Sequence, residues 1–360
     1  MNGRPGIHHV FARTIKDAIC RYKTMRGFYV RRQAGWDTHG LPVELSAEKE
    51  LGLTDKSQIE VLGVDKFNAA CRDIVYRNIG QDNGWRTMTR RMGHWLDLDA
   101  AYITCTNDYI ESVWWALRQF FDKGLIYRGY KVVPQSPTLG TPLSSHELSQ
   151  NYKEVRDPNV YLKLKLTSSP VKSAEGAFIL VWTTTPWTLF ANVALAVGPK
   201  IEYVVVRNTR TVGERTFDET LVLAESRLSI LDGEVEILGR CKGSDLVGSV
   251  YEQIFTDVVL DATTFPDVLH LLPGDFVTTE DGSGVVHLAP AFGQDDFEMS
   301  KRFKLPVPQP VTPNGHFTEE IKDLAGRAVK TFTYADHTEE GADRDIVKSL
   351  KMSDKIYKAA

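Results

Sequence analysis

Gly35-Trp36-Asp37-Thr38-His39-Gly40-Leu41-Pro42-Val43-Glu44 packs two glycines, a proline, a histidine and two carboxylates into ten residues. It follows a short apolar run, Phe28 to Val30, that reads as a strand. Loops at the carboxyl ends of strands are where open α/β sheets keep their clefts. A carboxylate there, Asp37, suits a charge-assisted hydrogen bond to a substrate ammonium. The alternative is that Asp37 and His39 only satisfy turn backbone, and the spacing leaves both readings open.

A second stretch, Trp182-Thr183-Thr184-Thr185-Pro186-Trp187-Thr188, offers four hydroxyls within six residues, donors and acceptors without charge. Threonine is also simply a good strand former. Further on, Gly282-Ser283-Gly284-Val285-Val286-His287-Leu288-Ala289-Pro290 is a glycine-flanked strand that delivers His287. The Pro/Gly loop after it delivers Asp295 and Asp296 where a helix should begin. Capping suits Asp295, which leaves Asp296 as the better candidate ligand.

Upstream of both, Gly3-Arg4-Pro5-Gly6-Ile7-His8-His9 is a turn with paired imidazoles. Val10, Thr14, Ile15, Ala18, Ile19, Tyr22 and Met25 then recur at helical spacing, with Gly27 as the stop. His8 and His9 therefore stand at a helix N-terminus, where unpaired N–H groups and the macrodipole attract a phosphate.

The elements that must position these groups fall into two textures. The first is helical: a short helix from Glu44 to Leu51 stopped by Gly52, a longer one from about Asp65 to Arg91, and one from Asn107 to Gly124. The stripe Tyr109, Val113, Trp114, Leu117, Phe120 and Phe121 on the last reads as core. Residues 92–102 read as loop, Leu125 to Val133 as a strand, and His146 and Glu147 as local turn partners. From about Asp157, β-rich runs take over: Val160 to Leu166, Ala177 to Thr183, Val193 to Val197, Tyr203 to Arg207, Thr220 to Ala224 and Val235 to Ile237. That pattern implies a barrel or sandwich.

With 360 residues, 42% of them hydrophobic, the chain has material for two cores. A net charge of -4 gives no overall basic signature, so a nucleic-acid partner would have to meet a local patch. Four scattered cysteines with no Cys-x-x-Cys pair argue against a zinc knuckle or a disulfide framework and suit a reducing compartment. No apolar run approaches a membrane span and no signal peptide is evident, so the cytoplasm is the default.

The acidic loop and the histidine turn resemble those of the class I aminoacyl-tRNA synthetases, within them the isoleucyl branch. The family's His-x-Gly-His is here Gly6-Ile7-His8-His9, a swapped form with His9 in register. The stretches at Thr183 and at His287 to Asp296 resemble the editing insertion of the isoleucyl, valyl and leucyl enzymes. The resemblance implies a partial Rossmann-like α/β catalytic domain over 1–156, an inserted β-barrel editing domain over 157–345 and a return segment over 346–360.

By that resemblance Gly6, His8 and His9 serve ATP, brought with Mg2+ and with no metal site of this chain's own, and Asp37 serves isoleucine. Thr183, Thr184 and Thr185 would hold the ribose and ester of a mischarged tRNA(Ile) and help place water. Asp296 would hold the amino group, while His287 would judge the side chain and Asn192 match a family asparagine nearby. Phe190 stands where a proline is usual.

A second pocket is needed because one methylene discriminates weakly, and valine in an isoleucine pocket is the standing example of that limit. Lys351-Met352-Ser353-Asp354-Lys355 imitates the family's Lys-Met-Ser-Lys-Ser loop but lies at the return from the insertion, so it is not taken as that loop. The chain reads as an N-terminal part of an enzyme that is monomeric at full length, unable to activate isoleucine alone. A free-standing deacylase and a silent tRNA-binding fragment are the other readings.

Overall fold

The computed structural model describes residues 3–54, 56–149, 152, 154, 157–333 and 337–359, the side chain of His146 excepted. It falls into two units, Met1–Gly129 and Tyr130–Ala360, so that residues 130–156 and 346–360 group with the β-rich part.

In the first unit, helix α1 (Ile7–Met25) begins after Gly6 and ends as expected, with Gly27 at φ 89°. The strand expected at Phe28 to Val30 is absent. Phe28 and Tyr29 are exposed, and the strand forms later, as β1 (Gln33–Trp36). Helix α2 (Leu41–Leu51) closes on Gly52, which takes the left-handed conformation. After the short α3 (Ser57–Leu62), the single helix expected up to Arg91 is two, α4 (Val64–Gly80) and α5 (Trp85–Arg91). Gly84 stands at the break, where a Cβ would lie 2.4 Å from the Asn78 carbonyl oxygen.

The segment read as loop before Tyr102 contains strand β2 (Asp97–Ile103), parallel to β1 with Gly35 opposite Tyr102. Trp36, Val43, Val75, Ile79, Trp85 and Leu98 form the core around this pair.

Helix α6 (Asn107–Asp122) forms where its periodicity places it, but its apolar stripe is not core. Trp114 is 69% and Phe121 62% exposed, because the described residues lay nothing over that face. Leu125 to Val133 likewise forms no strand. An apolar run becomes a strand only where a neighbouring strand can pair with it.

The second unit opens with a two-stranded hairpin, β3 (Gln135–Ser136) and β4 (Thr141–Pro142), and a one-turn helix α7 (Ser145–Leu148). There Glu147 accepts the Ser144 N–H at 2.7 Å, a local turn partner as expected, while the side chain of His146 lies outside the described residues.

The main sheet uses β5 (Val160–Ser168), β6 (Phe178–Thr183), β8 (Glu202–Val212), β9 (Arg215–Ala224), β10 (Glu234–Lys242), β11 (Val250–Tyr251) and β16 (Ile356–Ala359). Its order is β10-β8-β9-β6-β5-β11, with β16 also on β5. All its pairings are antiparallel except β6 with β9. A three-stranded sheet places β7 (Ala194–Val197) between β12 (Leu271–Pro273) and β13 (Val285–Leu288). Alternate residues of β5 and β6, Leu162, Leu164, Ile179 and Val181, share one core with Leu195, Val197 and Val285 of the smaller sheet. The expected barrel is thus two sheets closing over one core, a half-barrel.

The opposite face of β5 carries Lys163, fully buried. Its Nζ meets Glu219 at 2.5 Å and Asp354 at 3.1 Å, and Arg210 stands 3.6 Å from the other Glu219 oxygen. Asp354 belongs to the Lys351–Lys355 stretch, which here is the turn between α10 (Asp343–Met352) and β16. Its neighbour's carbonyl, that of Lys355, accepts the Lys163 backbone N–H at 2.8 Å.

Candidate functional site

Three elements deliver the side chains of the β-rich unit's cleft. Strand β6 ends at Thr183, on the same side as Ile179 and Val181, and Pro186 then opens a 3-10 helix, Pro186–Ala191. Strand β13 packs against β6 and carries His287 on the side of Val285. Helix α9 (Gln294–Phe303) follows Gly293 and holds Asp296 in its first turn.

The helix cap is Gly293, so Asp295 does not cap as expected. Instead the Asp296 carboxylate accepts the Ala289 backbone N–H at 2.9 Å. Glycine leaves the carboxylate room there: a Cβ at position 293 would lie 2.7 Å from the Asp296 carboxyl carbon.

Thr183, Thr184, His287 and Asp296 line one cleft of about 330 Å³, at the small end of ligand-sized pockets. His287 Nε2 lies 3.1 Å from the Thr188 hydroxyl and 3.5 Å from that of Thr183. Burial pushes the His287 imidazole down to about 4, so it is neutral at neutral pH. Burial pushes the Asp296 carboxyl up to about 6, with Asp295 adding and the Ala289 N–H opposing. At pH 7 Asp296 is thus mostly ionised and able to hold a cation in a poorly solvated place.

Thr185 does not line the cleft; its hydroxyl stands 3.3 Å from those of Thr183 and Thr188 and its N–H donates to Thr183 Oγ1 at 3.1 Å. Asn192 is not brought to the cleft at all. Its amide donates to the Ala194 carbonyl at 3.0 Å and its oxygen accepts the Tyr251 hydroxyl at 2.7 Å, both within the core. Phe190 stacks on Phe255 at 4.1 Å and meets Phe317 edge-on at 5.2 Å, which is how an aromatic fits at that position.

Sequence reading passed over two participants. Thr188 was visible as the fourth hydroxyl of its stretch. Arg227, which donates to the Gly282 and Glu280 carbonyls at 2.8 and 2.9 Å and so holds the rim, gave no local signal.

In the first unit, Gly6, His8 and His9 stand together at the N-terminus of α1. The Gly6 N–H donates to His9 Nδ1 at 2.9 Å, which leaves Nε2 to carry the ring proton. Burial, then His8 and Arg13, hold the His9 imidazole below its usual range. The His8 ring, exposed, lies 3.8 Å from that of His9, and His9 meets Trp85 edge-on at 4.6 Å.

Asp37 is exposed, and the His39 N–H reaches its carboxylate at 3.5 Å. His39 Nδ1 and the Thr38 hydroxyl both lie 2.9 Å from the Thr104 hydroxyl, so this loop is fastened to the end of β2.

The family described as tRNA synthetases class I (I, L, M and V) matches residues 1–356. The isoleucine–tRNA ligase of Clostridium acetobutylicum is 43% identical over 358 residues, 99% of this chain and 32% of that protein. Those of Thermobifida fusca and Clostridium kluyveri are each 45% identical over 359 residues, 99% of this chain and 31% and 32% of theirs. The chain therefore spans about a third of the length of the curated relatives it matches. The cytosolic leucyl-tRNA synthetase editing domain of P. falciparum aligns at a TM-score of 0.31 and 14% identity, over 41% of this chain and 67% of that one, a loose likeness. With a match that runs nearly end to end, this chain belongs to the class I tRNA synthetases of the isoleucine, leucine, methionine and valine group.

Proposed function

We propose that this chain carries part of an isoleucine–tRNA ligase: one side of the pocket that activates isoleucine with ATP and Mg2+, and a separate cleft that hydrolyses valyl-tRNA(Ile). The observation that carries the hydrolytic half is the convergence of Thr183, Thr184, His287 and Asp296 on one cleft. The activation half rests on the relatives' identity together with Gly6, His8, His9 and Asp37. Placement in the cytoplasm as a monomer belongs to the same reading.

In the cleft, the ionised Asp296 holds the ammonium of the mischarged amino acid through a charge-assisted hydrogen bond. The hydroxyls of Thr183 and Thr184 hold the terminal ribose, and Thr185 braces Thr183 from behind. Water attacks the ester carbonyl, the bond to the ribose oxygen breaks, and that oxygen leaves with a proton. His287 is too weak a base to take the water's proton at neutral pH and instead bounds the side-chain space. Orientation of the ester against the water lowers the barrier.

The test is deacylation of valyl-tRNA(Ile) by the full chain. Hydrolysis that falls by about tenfold or more in Thr184→Ala and in Asp296→Ala supports the reading. Rates unchanged in both variants overturn the site assignment.

A further inference from the structure

One wall of the cleft is a loop. Residues 274–284, between β12 and β13, form neither helix nor strand, yet Phe276, Thr278, Asp281, Gly282, Ser283 and Gly284 among them line the cleft. A segment without a ladder of its own stands where its backbone groups find partners.

Here the partners come from one patch beside the end of β9. Arg227 Nε donates to the Gly282 carbonyl at 2.8 Å, and its Nη1 to that of Glu280 at 2.9 Å and of Thr279 at 3.5 Å. The Ala224 N–H donates to the Ser283 carbonyl at 3.0 Å, and the Tyr203 hydroxyl to that of Gly284 at 2.5 Å. From Thr279 to Gly284 only the Asp281 carbonyl is left out of this set, and one guanidinium holds three of the others.

The loop is also pressed from both sides. Gly284, at φ 78°, lies so close to β9 that a Cβ would stand 2.5 Å from that of Ala224. Gly282, at φ 66°, backs onto the Trp182 ring, where a Cβ would stand at 2.9 Å. Arg227 itself has a firm base, the 3-10 helix Glu225–Ile230. Ile230 is buried there, Leu228 packs on the core shared by β8 and β9, and Glu225 accepts Arg240 Nε of β10 at 2.9 Å.

We propose, on the hydrolytic reading above, that Arg227 is a positioning residue that preforms this wall and so sets how tightly the mischarged tRNA terminus is held. Arg227 does not line the cleft and takes no part in the chemistry. Without its fork the loop is no longer fixed before the substrate arrives, and the cost of ordering it falls on binding. Thr183 ends β6, Thr184 follows it and Asp296 stands on α9, so the bond-breaking step keeps its geometry. Lysine is no substitute, because a single ammonium cannot span carbonyls that a planar guanidinium bridges.

The test uses the full chain, with steady-state deacylation of valyl-tRNA(Ile) beside NMR-detected hydrogen exchange at Ala224, whose N–H is bonded to the loop. Arg227→Met and Arg227→Lys should both raise KM about fivefold or more with kcat within about twofold, and both should speed Ala224 exchange about tenfold. The ratio of KM between variant and unmodified chain should not change as salt is raised. Where Arg227→Met does not fold, Arg227→Gln takes its place with the same expectation.

A KM restored by lysine, or a ratio that shrinks with salt, would mean that Arg227 acts as a bare charge toward tRNA phosphates and overturns the proposal. Unchanged KM, unchanged exchange, or a fall in kcat in place of the rise in KM overturns it as well and leaves the hydrolytic reading standing. An unmodified chain that hydrolyses nothing overturns that reading and this proposal with it.

Discussion

The Thr188 hydroxyl donates to the Thr185 carbonyl at 2.8 Å, so at its 3.1 Å contact with His287 Nε2 it accepts, and the imidazole proton sits on Nε2. His287 is therefore fixed in tautomer as well as in place. Its Nδ1 is buried without a partner, which is consistent with burial holding the ring neutral. Thr188→Val keeps the shape and removes the acceptor, leaving the buried N–H only the longer, 3.5 Å contact with the Thr183 hydroxyl. The expected loss is about 1–3 kcal/mol of stability, against less than about 1 for Thr188→Ser, read from urea unfolding. Equal midpoints for the two variants would show that the bond is not made.

Gly293 has an ordinary extended backbone, φ -128°, so alanine there introduces no backbone strain. Its Cβ would still fall within 2.7 to 2.9 Å of the Asp296 carboxyl atoms and push the carboxylate aside. Gly293→Ala should fold with an unchanged far-ultraviolet spectrum and lose about tenfold or more in valyl-tRNA(Ile) hydrolysis. Full activity in that variant would detach Asp296 from substrate binding.

The Asp296 carboxyl, pushed up to about 6, sets a pH window with a definite sign. Hydrolysis should rise with pH through about 6 as the carboxylate proposed to hold the ammonium ionises, and Asp296→Asn should remove that inflection together with most of the rate. Stability runs the other way. Between the ordinary 3.8 of the unfolded chain and about 6, the folded state binds more protons, so stability falls as pH rises through that window. Above it the buried charge is a standing cost, and Asp296→Asn should be more stable at pH 7.5 by about 1–2 kcal/mol. A urea midpoint that moves downward would contradict this.

Lys163 lies between two carboxylates of very different exposure, Glu219 at 10% and Asp354 at 68%. Removing the buried partner takes the carboxylate from Arg210 and leaves Lys163 only the exposed Asp354, whereas Asp354 itself is replaceable by water. Glu219→Gln should cost about 3 kcal/mol or more and Asp354→Asn less than about 1, measured by thermal or chemical unfolding. The reverse order would mean that Asp354, not Glu219, neutralises the lysine.

What could be read from the chain was whatever a local pattern specifies. Helices α1, α2 and α6 follow from 3.6-residue periodicity with a glycine stop, and β5 to β10 from alternation between turn signals. The failures share one cause. Phe28 to Val30 and Leu125 to Val133 are apolar enough for strands yet have no neighbour to pair with among the described residues, while Asp97–Ile103, with Asp97 and Asp99 disguising it, gains β1 as a partner. Amphipathicity placed α6 as a helix but could not say that its stripe lies open. The cleft divides the same way: Thr183, Thr184, His287 and Asp296 were recognisable as residue types, but their meeting depends on β13 packing against β6. Asn192 looked like a member from its position alone, and Tyr251 claims it instead.

Val160, the first residue of β5, has Thr183 on one side and Ala359, in β16, on the other. The first residue of β5 and the last of β16 thus meet on one rung of the main sheet. A module rooted in this way asks of its host only a narrow gap, and can be spliced into a loop or withdrawn from it without parting the host's own elements. The hydrolysis proposed for its cleft would on such a root be portable, something selection can exchange or discard as a cassette.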